Sequence, residues 1–204
     1  MNPKIKGKSF RHLYYSKCIM PINLFLSNRL NLNLPVSNCN YISRILSLSS
    51  IPLNYRIFCY KYTNNVLMFA EREANAFPDR QINTSCRGCL STNTLPAMSE
   101  KNEHIFYYCS GTKILRDRMG EVILNRNLEP VEISIGYNDS TQTKNLAINC
   151  LILLLHKFVY DNRKCTNNLT NLNVFKDWML SNIRNMCISN RLLLDICLSL
   201  IEAL

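Results

Sequence analysis

Four residues within one 24-residue stretch constrain this chain more than anything else in it: Cys86-Arg-Gly-Cys89, fourteen intervening residues, then His104-Ile-Phe-Tyr-Tyr-Cys109. Two residues between the first cysteines let a tight turn aim both sulfurs at one point, and Gly88 eases the backbone dihedrals such a turn demands. Four residues between His104 and Cys109 bring an imidazole and a thiolate to the same point from a turn or a helix start. Three thiolates and one neutral imidazole fill a tetrahedral shell with no position left for water, so the pattern points to one structural zinc ion. With ten cysteines in 204 residues, an accidental C-x-x-C arises about as often as not. Requiring the histidine and the fourth ligand at this spacing lowers that chance to roughly a few per cent.

The rest of the composition sets the surroundings of this loop. A hydrophobic share of 47% is enough to bury an ordinary core, while charged residues make up only 19%. Charge is unevenly placed. Residues 1–70 carry nine Lys or Arg and no acid before Glu71, and the remaining 134 residues are nearly neutral, with 15 basic and 14 acidic groups. A one-signed segment of this kind attracts phosphate backbones and releases their counterions, so an RNA or DNA backbone is the expected partner. No charged-then-apolar signal peptide opens the chain, which favours reduced thiols in the nucleus or cytoplasm; an acid-free start containing Arg and Ser leaves a mitochondrial transit segment as the alternative. The longest apolar run, Leu146 to Leu155 broken by Asn149, is half of what a membrane span needs, and reads as a buried helix.

Periodicity divides the chain into four regions and predicts a mostly α fold, with helical segments flanking a small zinc-organised loop, or zinc knuckle. Residues 1–37 are basic and weakly structured, and Pro21 interrupts any helix there. Residues 38–80 form a helical linker, in which apolar clusters recur at Ile42, Ile45 and Leu46, at Ile57, Phe58 and Tyr60, and at Val66, Leu67 and Phe69; Pro52 suits a first helical turn. Residues 81–124 hold the knuckle and a following helix capped by Ser110 or Thr112 and reaching Met119. Residues 125–204 begin with a polar loop over 125–143 and continue as helices: 144–163, apolar nearly all round; 173–186, with Phe175, Trp178, Met179, Ile183 and Met186 on one stripe; and 191–204.

The knuckle resembles the zinc-binding segment that follows the reverse transcriptase domain of non-LTR, LINE-type retrotransposons. The likeness rests on Cys86-x2-Cys89, on Glu100 four positions ahead of His104, and on His104-Ile-Phe-x-x-Cys109. Lys101 stands where those elements carry threonine, and Arg116 to Met119 occupy the place of their usual tryptophan. Weaker similarity runs through Ile51 to Asn65 upstream and Leu151 to Arg163 downstream. The resemblance implies an accessory tail of a larger element protein. The sequence holds no Asp-Asp pair of a polymerase palm and no Asp/Glu/His cluster of a nuclease, and no small-molecule substrate is expected; Glu100 reads either as part of a solvated face or as a partner behind the His104 imidazole.

Phosphate contacts are expected from Arg87, Lys101, Lys113, Arg116 and Arg118 around the knuckle and from Lys4, Lys6, Lys8 and Arg11 at the start. A solvated basic face is the competing reading of the same residues. His12 reads as part of the basic segment, His156 as a satisfied core residue, and Cys150, Cys165, Cys187 and Cys197 as small hydrophobes in helices. A different class of function also fits: a zinc-stabilised protein-interaction module whose last helix carries Leu193, Leu194, Ile196, Leu198, Leu200 and Ile201, more apolar residues than one face can bury, and so offers them to a partner protein.

Overall fold

An apolar helix with no polar face has to be surrounded, and this requirement organises the molecule. The computed structural model describes residues 42–204 apart from 94, 95, 97 and 188, and their side chains apart from those of 43, 166 and 167. Lys4, Lys6, Lys8, Arg11 and His12 therefore lie outside the described residues. Contacts within the chain separate 1–40 from 41–204, and the described residues all belong to the second of these units.

The helices of this unit are α1 (Leu53–Thr63), α2 (Ala70–Ala76), α3 (Arg87–Ser91), α4 (Ser110–Leu124), α5 (Pro130–Ile135), α6 (Gln142–Asn162), α7 (Thr166–Leu169), α8 (Leu172–Met186) and α9 (Arg191–Glu202), with a 3-10 turn at Ile42–Ser47 and a π-type turn at His104–Tyr108. Among the described residues the only β pairing is a single antiparallel bridge between Ser85 and Ser99. The fold is mostly α, as expected. No helix among the described residues is long and apolar enough to cross a membrane.

Helix α6 is the centre. Ala147, Ile148, Cys150 to Leu155, Phe158 and Val159 are all buried. The 3-10 turn, α4, α8 and α9 pack around it. Its polar Asn149 is buried too, and is satisfied by the backbone of Tyr137, whose N–H donates to Oδ1 at 2.7 Å and whose carbonyl accepts from Nδ2 at 2.9 Å. Helix α8 buries Phe175, Met179, Ile183 and Met186, the expected stripe, while Trp178 sits half-buried at its edge against Phe158. Helix α9 buries Leu193, Cys197 and Ile201; Leu194, Ile196, Leu198 and Leu200 are half-covered, so the apolar excess on this helix is partly absorbed by its neighbours.

Several local expectations shift. Pro52 is the N-cap of α1 and stands just outside its first turn. Residues 66–69 are not helical; Leu67 and Phe69 are buried in the segment leading into α2. The loop over 125–143 contains α5, because Glu129 and Glu132 form a reciprocal capping box around Pro130 and Ile133 and Ile135 have a core to enter.

Candidate metal centre

The four motif residues converge because the chain between them doubles back. Cys86 N–H donates to the Met98 carbonyl at 2.8 Å and Glu100 N–H to that of Thr84 at 2.6 Å, so the fourteen-residue gap is a short antiparallel excursion that returns beside its start. The following turn is widened. Cys109 N–H bonds the His104 carbonyl at 2.7 Å, five residues back. In a regular α-helix five positions rotate through about 500°, which would leave His104 and Cys109 roughly 140° apart. The π-type turn narrows that divergence, and Thr112 Oγ1 donates to the Ile105 carbonyl at 3.0 Å beside it.

Cys86, Cys89, His104 and Cys109 are all buried, and their ligand atoms lie within 4.8 Å of one another. Cys86 Sγ is 3.5 Å from Cys109 Sγ, Cys89 Sγ is 3.9 Å from Cys109 Sγ, and Cys89 Sγ is 3.1 Å from His104 Nε2. A tetrahedral ion with metal–sulfur bonds of about 2.3 Å and metal–nitrogen bonds of about 2.0 Å requires edges of roughly 3.8 Å and 3.5 Å. These three separations lie within about 0.4 Å of those edges, and the widest spread of the set, 4.8 Å, would have to close by about 1 Å around an ion, so the four donors can hold one metal ion.

Two of the ligands are helix N-caps, Cys86 for α3 and Cys109 for α4. Neither Ser110 nor Thr112 takes that place. An N-cap sulfur meets free backbone N–H groups and the positive end of the helix dipole, both of which favour thiolate. Neither sulfur accepts a cap hydrogen bond, but the backbone N–H of Cys89 near Cys86 and that of Gly111 near Cys109 each favour the thiolate form. The thiol hydrogen bond from Cys86, aided by His104, holds Cys109 below the ordinary thiol range, while that bond and burial push Cys86 above it.

Gly88 and Gly111 lie against each other where α3 and α4 begin. A Cβ on Gly111 would stand 2.5 Å from the Gly88 carbonyl oxygen, and one on Gly88 2.8 Å from Cys109 Sγ. The need for glycine at 88 is therefore space between the two ligand-bearing turns, and not an unusual dihedral. The sequence contains a signal for this contact, since Cys86-Arg-Gly88 and Cys109-Ser-Gly111 share the same Cys-x-Gly spacing.

The residues expected around the ligands divide. Glu100 is buried, but its carboxylate does not stand behind His104: Oε1 accepts from Ala70 N–H at 3.3 Å and faces Arg163 Nε at 3.4 Å, tying α2 and the end of α6 to the loop. Burial pushes this carboxyl up, and Ala70 N–H and Arg163 oppose the rise. Arg116, expected to face phosphates, is buried and bonds Thr112 Oγ1 and the Cys109 carbonyl. It sits one turn after Thr112 on the inner side of α4. Arg118 is committed to the chain end, donating to the carbonyls of Leu204 and Ala203 at 3.2 and 3.1 Å and pairing with Glu121. Arg87 is exposed and donates one bond, to the Lys164 carbonyl at 3.1 Å. Lys101 is exposed, and Lys113 pairs with Asp117 on the surface.

His156 is in the core, but it is not satisfied. Both ring nitrogens lack a hydrogen-bond partner among the described residues, and the ring stacks on Tyr62 at 4.3 Å and lies against Phe106 at 4.8 Å. Burial, with Arg116 adding to it, holds its pKa down to about 3.

No protein-family model, no curated protein and no solved structure matches this chain.

Proposed function

We propose that Cys86, Cys89, His104 and Cys109 hold one structural zinc ion, and that the chain is an accessory module that binds the phosphate backbone of RNA or DNA without a catalytic centre of its own. The observation that carries the zinc assignment is the set of four buried ligand atoms within 4.8 Å. Thiolate-rich, tetrahedral donor sets favour zinc, and a shell of three sulfurs and a nitrogen is full, so the ion organises structure and activates no water. Such thiols require a reducing compartment, nuclear or cytoplasmic.

The nucleic-acid reading is supported by charge. Nine cations without an acid in residues 1–70 dominate the field, while the knuckle offers Arg87, Lys101 and Lys113 as its outward cations. Arg116 and Arg118 leave that set, since both serve carbonyls within the fold. The order Cys86, Cys89, Glu100, His104, Cys109 supports kinship with the LINE-type segment, with Glu100 in a different role.

A protein-interaction role has its own observation: Leu90, Met98, Tyr108 and Ile114, on or beside the ligand-bearing turns, are all exposed. Two measurements on the purified full chain separate these readings. Elemental analysis should give one zinc per chain, and its absence from reduced, soluble protein would overturn the metal assignment. Binding to single-stranded RNA should weaken steeply with salt, and deletion of residues 1–35, with six of the nine cations, should flatten the log–log slope by about 0.7 per lost phosphate contact. Zinc-loaded protein that binds no nucleic acid in low salt would leave the interaction reading in its place.

A further inference from the structure

Arg116 as a residue is only 8% exposed, and its guanidinium has no carboxylate within ion-pair distance among the described residues. Its bonds go to neutral oxygens, Thr112 Oγ1 through Nη1 and the Cys109 carbonyl through Nη2 at 3.1 Å. The adjoining Asp117 is engaged at the surface by Lys113. His156, the other ionisable group near it, is uncharged at neutral pH. Neutral acceptors do not offset a full charge in a protein interior; buried charges persist when an opposite charge or a metal is close.

The metal centre provides that opposite charge. Three thiolates, one neutral imidazole and a divalent ion sum to a single negative charge, enclosed in the same interior. The Cys109 carbonyl that Arg116 holds belongs to one of the ligands. Resting on the zinc assignment above, we infer that Arg116 is the built-in counter-ion of the metal centre: a positioning residue that balances the charge of the three-cysteine shell and fixes the Cys109 turn. The thiolate shell and the arginine each resolve the other's buried charge, which gives a reason for an arginine to point inward from a helix whose outer face is available to it.

The test is a charge cycle on the full-length chain, read as zinc affinity in competition with a chromophoric chelator. Arg116→Met keeps the length of the side chain and removes its charge, and should weaken zinc by roughly tenfold to a hundredfold, the scale for unit charges a side-chain length apart at an effective dielectric of about 20. Arg116→Lys keeps the charge and should stay within about threefold of the parent. Cys89→His changes the shell to two thiolates and two imidazoles, neutral with zinc bound, and in that background the Arg116→Met loss should shrink to about threefold or less. Parental affinity in Arg116→Met, or an equal loss in both backgrounds, would overturn the counter-ion role while leaving the zinc assignment intact. Absence of zinc from the parent chain is the separate result that removes the assignment itself.

Discussion

Replacing Gly111 with alanine tests whether the two ligand-bearing turns are held together by close backbone contact. The added Cβ would lie 2.5 Å from the oxygen, 2.6 Å from Cα and 2.7 Å from the carbonyl carbon of Gly88, where ordinary contact begins at 3.4 Å. The turns must part by about 3.4 − 2.5 = 0.9 Å, and since the atoms met are backbone, no rotamer change relieves the overlap. Metal–ligand bond lengths hold to within about 0.2 Å, so a separation of this size cannot be taken up in the bonds alone. Because Gly88 and Gly111 each follow a ligand cysteine by two positions, the separation passes directly into the 3.5 Å edge between Cys86 and Cys109. Overpacking against a rigid contact costs about 3 kcal/mol at the upper end of its usual range, and the gain in helix propensity from glycine to alanine offsets about 1 kcal/mol. The net of about 2 kcal/mol corresponds to a roughly thirtyfold loss of zinc affinity, measured by chelator competition. Gly120→Ala is the matched control: its Cβ would meet Leu128 N at 2.5 Å, an equal overlap remote from the ligands, and should lower the melting temperature while sparing zinc affinity. Parental zinc affinity in Gly111→Ala, or an equal affinity loss in Gly120→Ala, would refute the reasoning.

Cys89→Ser or His104→Ala should lose the metal by elemental analysis and lower the melting temperature, since each removes one of the four donors that close the knuckle. Glu100→Ala breaks a buried ion pair and should destabilise the fold by about 3 kcal/mol in denaturant titration. Its zinc affinity should be nearly unchanged, and a selective loss of zinc would instead return Glu100 to a place behind His104. His156→Phe should be neutral or stabilising at pH 7, because two unpartnered buried nitrogens give way to a ring of similar shape. With a folded pKa of about 3 against an unfolded value near 6.5, the unfolded state binds the extra proton between those pH values, so the parent loses up to about 1.4 kcal/mol per pH unit on acidification. His156→Phe should not share that loss, and parallel stability–pH curves for the two proteins would contradict the burial of a neutral imidazole.

The arginines of α4 show where the sequence stops informing. Arg116 and Arg118 stand two positions apart on one helix and look equivalent as text, yet one is enclosed beside Cys109 and the other reaches Leu204. Which side of α4 faces inward depends on where α6 and the chain end lie, and only the packed fold supplies that. Glu100 is similar: its spacing from His104 suggests a partnership, but Arg163, 63 residues further on, arrives at its carboxylate through the end of α6. Helix α5 was legible in principle from the Glu129-Pro-Val-Glu132 capping box, and was hidden because its polar flanks read as loop.

The amino-acid sequence alone pointed to the four Cys and His residues that the fold brings within 4.8 Å of one another, and to the helices with unmistakable periodicity. Ligand spacing is a local constraint: two residues between Cys86 and Cys89, and the return of the chain at His104, limit the geometry before anything else folds. The all-round apolar α6 and the stripe of α8 are likewise fixed by which residues must leave water. Tertiary structure decided the widened turn that lets His104 and Cys109 converge, the glycine contact between α3 and α4, and the inward path of Arg116. Each of these depends on atoms brought together from separate elements, and only the glycine contact leaves a trace in the sequence, the repeated Cys-x-Gly spacing at Gly88 and Gly111.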